Sequence, residues 1–93
     1  MSKLELANQA FDAFERFQQG NFIGWDEDWK KISDLHWTRS TEFVFDSVGD
    51  IPPRELELHV MFNPDDTIDE VYSIISNDGE DIIRDLPLAL LTA

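Results

Sequence analysis

The sequence predicts a single α+β domain over residues 1–93 with the element order α-α-β-β-β-α. Three observations lead there. Apolar residues recur at helical spacing near the N-terminus, and three later segments carry strand-like apolar character, two of them in the two-residue rhythm of a strand. The connections are turns too short for crossovers, so the three strands form an antiparallel meander.

Residues 3–19 carry the helical pattern. Leu4, Ala7, Phe11, Phe14 and Phe17 step by three and four, with Ala10 and Ala13 beside them. Ser2 is placed to cap the first turn, and Gly20-Asn21 supplies the stop. A second, short helix is expected over 25–34, where Trp25, Trp29 and Ile32 share a face. Its acids (Asp26, Glu27, Asp28) precede its lysines (Lys30, Lys31), an order that complements the helix dipole. Gly20 to Gly24 is the expected joint between the helices.

The first strand is expected over 36–48, with Trp37, Thr41, Phe43 and Phe45 facing the core and Thr38, Ser40, Glu42, Val44 and Asp46 facing out. Gly49 to Pro53 is a turn, because two prolines cannot continue an interior strand. Residues 54–62 show the cleanest alternation: Leu56, Leu58, Val60 and Phe62 against Glu55, Glu57, His59 and Met61. Asn63-Pro64-Asp65-Asp66 turns the chain into a third strand at 67–76. The phase of that strand is open, since Ile68, Tyr72 and Ile74 compete with Val71 and Ile75. After Asn77-Asp78-Gly79-Glu80, another turn or helix start, the apolar residues Ile82 to Leu91 suggest a C-terminal helix or partly extended tail interrupted at Pro87.

Composition limits the function classes. The chain has 93 residues, 42% hydrophobic, with seven Phe and three Trp, enough for one core despite a net charge of −13. The Trp residues are read as core closure ahead of an exposed interface. With no cysteine there is no disulfide, no thiolate nucleophile and no thiolate zinc ligand, which suits a cytoplasmic protein. No segment approaches the ~20 apolar residues of a membrane span, and the N-terminus lacks the apolar run of a signal peptide.

No motif carries chemistry. Glu55 and Glu57, ~6.7 Å apart on a strand, fall within the carboxylate spacing of glycosidases. A domain this small leaves little room for a sugar cleft. His36 and His59 have no nucleophile motif beside them, and His59 reads as an ion-paired surface histidine. Asp65, Asp66, Asp69 and Glu70 match a calcium loop in composition and not in spacing. Neither a cofactor, a metal site nor a catalytic residue is expected, and the chain reads as a non-enzyme.

The charge is unevenly placed. Residues 1–41 hold seven acids and five bases, a net of −2. Residues 42–93 hold thirteen acids against Arg54 and Arg84, a net of −11. Pairing the first two strands so that their apolar faces agree sets Phe43 against Leu58 and Phe45 against Leu56. Glu42 then lies opposite His59, and Asp46 opposite Glu55, a repelling pair. Such a face imitates phosphate charge in outline. It disfavours direct binding to nucleic acid or anionic lipid and favours a basic protein partner, above all a nucleic-acid-binding one. The expected contact residues are Glu42, Asp46, Glu55, Glu57, Asp65, Asp66, Asp69 and Glu70, with Asp78, Glu80 and Asp81 in reserve, each accepting hydrogen bonds from Arg or Lys.

In charge, size and element order, the chain resembles phage-encoded inhibitors of nucleic-acid-binding proteins, including some anti-CRISPR proteins. That resemblance implies an inhibitor that occupies a basic cleft as a DNA mimic. The competing reading is an immunity, antitoxin or secretion-chaperone-like protein that neutralises one toxin or effector; a small hydrolase or ligand-binding domain stands third. The sequence is compatible with a monomer or a homodimer.

Overall fold

A computed structural model of the chain describes residues 2–18, 21–44, 54–77 and 79–92. Among these, one α-helix, α1 (Lys3–Phe17), packs on an antiparallel sheet of six strands: β1 (Asn21–Ile23), β2 (Lys30–Ser33), β3 (His36–Val44), β4 (Arg54–Phe62), β5 (Ile68–Asn77) and β6 (Glu80–Asp85). A short 3-10 helix, Leu88–Thr92, closes the chain. The expected pair of N-terminal helices with a three-stranded meander is therefore wrong. The protein is mostly β, with one helix.

The helix begins where its capping chemistry places it. The Ser2 hydroxyl accepts from the Glu5 amide at 3.2 Å, and the Glu5 carboxylate accepts from the Ser2 amide at 3.3 Å, a reciprocal capping box. Its buried face is Ala7, Ala10, Ala13 and Phe14. The Phe stripe foreseen from spacing is rotated, because Leu4 is 53% and Phe17 37% exposed. Alanines bring the helix backbone close to the sheet, where larger side chains from the strands fill the layer.

Residues 25–34 are not helical. A lone helix of this length is marginal in water, so tertiary contacts decide its state. Here an extended chain meets two demands at once. Trp25 and Trp29 pack edge-on to Phe11, with centroids at 4.7 and 6.4 Å. Beside them, β1 and β2 share the edge of β3 in tandem, β1 pairing along 42–44 and β2 along 36–38. Unpaired edge groups that a helix would have left open are thereby bonded. Trp37 is core, whereas Trp25 and Trp29 are half-buried.

The main ladder runs β3-β4-β5-β6. Phe43, Leu56, Leu58 and Val60 are fully buried, as their alternation requires. Their register differs from the expected one by four residues: Phe43 lies opposite Arg54, Thr41 opposite Leu56, and Glu42 opposite Glu55. Beyond Val44, the expected strand residues Phe45 to Val48 and the Gly49–Pro53 turn lie outside the described residues. In β5, Val71, Ser73 and Ile75 face the core, leaving Tyr72 and Ile74 on the other side.

The expected C-terminal helix is a strand over Glu80–Asp85. Asn77 pairs with Glu80, and Gly79 between them has φ 89°, a left-handed conformation that glycine adopts without strain. Leu86 then donates its amide to Val71 O at 2.9 Å and buries its side chain; Pro87 follows, and the chain turns back against α1.

Candidate functional site

The pleat of the sheet sorts charge between its faces. Cross-strand partners point to the same side, so the register fixes which face each side chain joins. The face under α1 receives Lys31, Arg39, Arg54 and Arg84, with Glu80 the one acid among these strand residues. These cations are engaged with their surroundings. Lys31 lies 4.6 Å above the Trp37 ring, and Arg84 donates to Gln18 Oε1 at 3.0 Å. Arg39 sits 4.6 Å over Phe11 and donates to the carbonyls of Asp26 at 2.6 Å and Glu27 at 3.3 Å.

The opposite face is covered by no described helix or strand. It carries Glu42, Glu55, Glu57, Glu70, Asp81 and Asp85 with a single lysine, Lys30. Glu42 stands directly opposite Glu55, a like-charge pair that costs a few tenths to about 1 kcal/mol. Beside this pair, Gly24, Asp26, Ser40 and Thr41 complete a shallow depression of about 420 Å³. Among the described residues no three His, Asp or Glu side chains converge in a way that would hold a metal ion.

A histidine pair occupies the middle of this face. His59 on β4 lies between Thr38 on β3 and Tyr72 on β5. Its Nδ1 is 2.8 Å from His36 Nε2, its ring stacks on Tyr72 at 4.8 Å and 2°, and its Nε2 is 3.7 Å from Glu57 Oε1. This corrects the expectation of a surface histidine: His59 is 7% exposed and Thr38 4%, although both belong to the open face. Large neighbours in the sheet, Tyr72 and His36, pack against His59, and no described helix or strand lies over it. Burial lowers the His59 pKa, with the Glu57 carboxylate opposing and His36 reinforcing the shift. The Tyr72 hydroxyl is pushed up, first by burial and then by Glu70 and Glu57. Thr38 Oγ1 and His59 Nε2 are buried without a hydrogen-bond partner, so these neighbouring groups do not form a nucleophile–base pair.

Of the expected contact residues, Glu42, Glu55, Glu57 and Glu70 share the open face. Asp46 lies outside the described residues, as does Asp78. Asp65 is turned into its own hairpin, where its carboxylate accepts from the Thr67 hydroxyl at 2.5 Å and amide at 3.2 Å; those bonds lower its pKa. Asp66 pairs with Lys3 of α1 at 3.3 Å, which assigns it to the helix side. Asp69 is the extra residue where the β4–β5 register shifts between Met61 and Phe62. Asp81 joins the open face and Glu80 the other. Asp85, His36 and Tyr72 were missed. Reading Asp-Gly at 78–79 as a hairpin would have placed Asp81, Ile83 and Asp85 on one face by alternation. Comparison with protein-family models, curated proteins and solved structures finds no match to the chain. No helix among the described residues is long and apolar enough to cross a membrane.

Proposed function

We propose that the protein is a non-enzymatic inhibitor that presses the open face of its sheet into a basic, nucleic-acid-binding cleft of another protein. The observation that carries this reading is the sorting of charge: six carboxylates and one lysine on a face that no described element covers, with the sheet's arginines turned to the other side. Neighbouring strands set carboxylates ~4.8 Å apart, and alternate residues of one strand set them ~6.7 Å apart. A partner's Arg and Lys side chains would find acceptors at that density, as they do along a phosphate backbone. The shallow depression beside Glu42 and Glu55 offers an arginine head group depth as well as charge. A cysteine-free chain suits this role in the reducing cytoplasm.

The competing reading, a toxin- or effector-neutralising protein recognised through its aromatics, is less favoured. Trp25 and Trp29 are packed against Phe11, and Trp29 Nε1 donates to Asn8 Oδ1 at 3.2 Å.

The test compares wild-type protein with an E42Q/E55Q/E57Q/E70Q variant in capture experiments, followed by competition with duplex DNA across a salt series. The expected result is a nucleic-acid-binding protein held by the wild type, lost by the variant, and displaced by DNA and by salt as the Debye length falls from ~10 Å at 0.1 M to ~3 Å at 1 M. Equal capture by both proteins, or binding indifferent to DNA and salt but abolished by Trp29→Ala in a folded chain, would overturn it.

A further inference from the structure

We propose that two copies of this chain join edge to edge through β6, extending the sheet across a two-fold axis. No described strand pairs with the outer edge of β6, and all six of its residues are exposed, including Ile82 at 42% and Ile83 at 65%. The backbone fixes which groups are offered. Leu86 donates to Val71 O, and antiparallel bonding alternates residue by residue. Arg84, Ile82 and Glu80 therefore bond toward β5, while the amides and carbonyls of Asp81, Ile83 and Asp85 point outward.

The side chains then select a register. An antiparallel pair of identical strands keeps its faces aligned when each residue pairs with one an even number of positions away. Centring on Asp81 sets Asp81 against itself. Centring on Ile83 sets Asp81 against the partner's Asp85, twice. Centring on Ile82 sets Glu80 against the partner's Arg84, twice, packs Ile82 on the partner's Ile82, and places Asp81 and Ile83 in the hydrogen-bonded pairs. The order Glu80-x-Ile82-x-Arg84 is thus self-complementary in charge, whereas edge charges that only block pairing have no reason to be. The axis stands perpendicular to the sheet, so both open faces lie on the same side and their carboxylates form one continuous field. The dimer itself does not depend on the inhibitor reading.

Each copy carries a net −13. Mutual repulsion opposes association and is screened by salt, so dimerisation strengthens from ~0.1 M to ~1 M salt, opposite to the behaviour expected with a basic partner. Sedimentation equilibrium on the purified full chain over a wide concentration range tests this. The expected result is a reversible monomer–dimer equilibrium. Ile83→Pro removes an outward-facing amide without touching the β5 ladder and should leave a folded monomer. Arg84→Glu should weaken the dimer by about tenfold or more, a change of ~1.4 kcal/mol. The exchange E80R/R84E should restore affinity to within about threefold, although it also loses the Arg84–Gln18 bond. A chain that stays monomeric throughout, or a dimer indifferent to Ile83→Pro or not rescued by the exchange, would overturn the proposal. So would an edge that takes up only the strand of a different protein.

Discussion

The two faces of the central strands are built from alternate residues of the same segments, yet they obey different rules. On the helix side, Phe43, Leu56, Leu58 and Val60 meet the alanines of α1 in a close-packed layer, and the cations Lys31, Arg39 and Arg84 lie against aromatic rings or polar partners. On the open side, His59 packs against Tyr72 and His36 with Glu57 Oε1 at 3.7 Å, and its cross-strand neighbour Thr38 is buried too, with no described helix or strand over them. The comparison separates what holds the fold from what the fold presents. The helix side tolerates neither gaps nor extra volume. The open side retains an unfavourable feature, a facing Glu42–Glu55 pair, that stability alone would remove.

The contrast is broken most directly at Leu58 and Glu57, adjacent residues on opposite faces. Leu58→Ala should cost about 2–5 kcal/mol in equilibrium denaturation, while Glu57→Ala should change stability by roughly 0.5 kcal/mol or less. A Leu58→Ala loss under ~1 kcal/mol would show that the helix side is not the packed one. The next largest effect concerns volume. Ala10 is fully buried where α1 lies against the sheet. Ala10→Leu should destabilise by about 1–3 kcal/mol through overpacking. Substituting Leu4, on the exposed flank of the same helix, should not, and thermal unfolding of both variants would show it.

Acid sharpens the comparison from the open side. The folded-state pKa of His59 lies below its ordinary value of 6.5, so between the two the unfolded chain binds more protons. Its contribution to stability is complete above pH ~6.5 and is lost as pH falls through the lowered value. His59→Gln should flatten this part of the stability profile between pH ~5 and ~7. An unchanged slope would mean that the imidazole charges as easily in the fold as outside it. The smallest effect is a gain. Glu55→Lys replaces repulsion with attraction opposite Glu42 and should stabilise the fold by a few tenths to about 1 kcal/mol, while weakening capture of a basic partner. Opposite signs for stability and binding would mark the open face as one kept for its field.

Much of this was written locally. Ser2 and Glu5 announce the start of α1, the alternation over 54–62 assigns Leu58 and Glu57 to opposite faces, and Asn63-Pro64-Asp65-Asp66 turns where it should. The faces of β3 and β4 were legible too, because alternation has a period of two and needs no partner. Their alignment was not. A slip of four residues leaves every side chain on its face, so Glu42 opposite Glu55 and Glu42 opposite His59 are equally consistent with the pattern. The spacing of Trp25, Trp29 and Ile32 misled for a related reason. Helical spacing is necessary for a short amphipathic helix but not sufficient, and here β3 had an open edge and Phe11 a free ring to claim the segment as extended chain. At the C-terminus the pairing of β6 with β5, with Gly79 at a positive φ, outweighed an apolar run that reads equally as helix. Composition and local period were enough to show where the carboxylates accumulate along the chain and which residues of β3 and β4 alternate toward the core. Which carboxylates stand together, and that His59 and Thr38 are buried, rests on strand pairings between residues far apart in the chain.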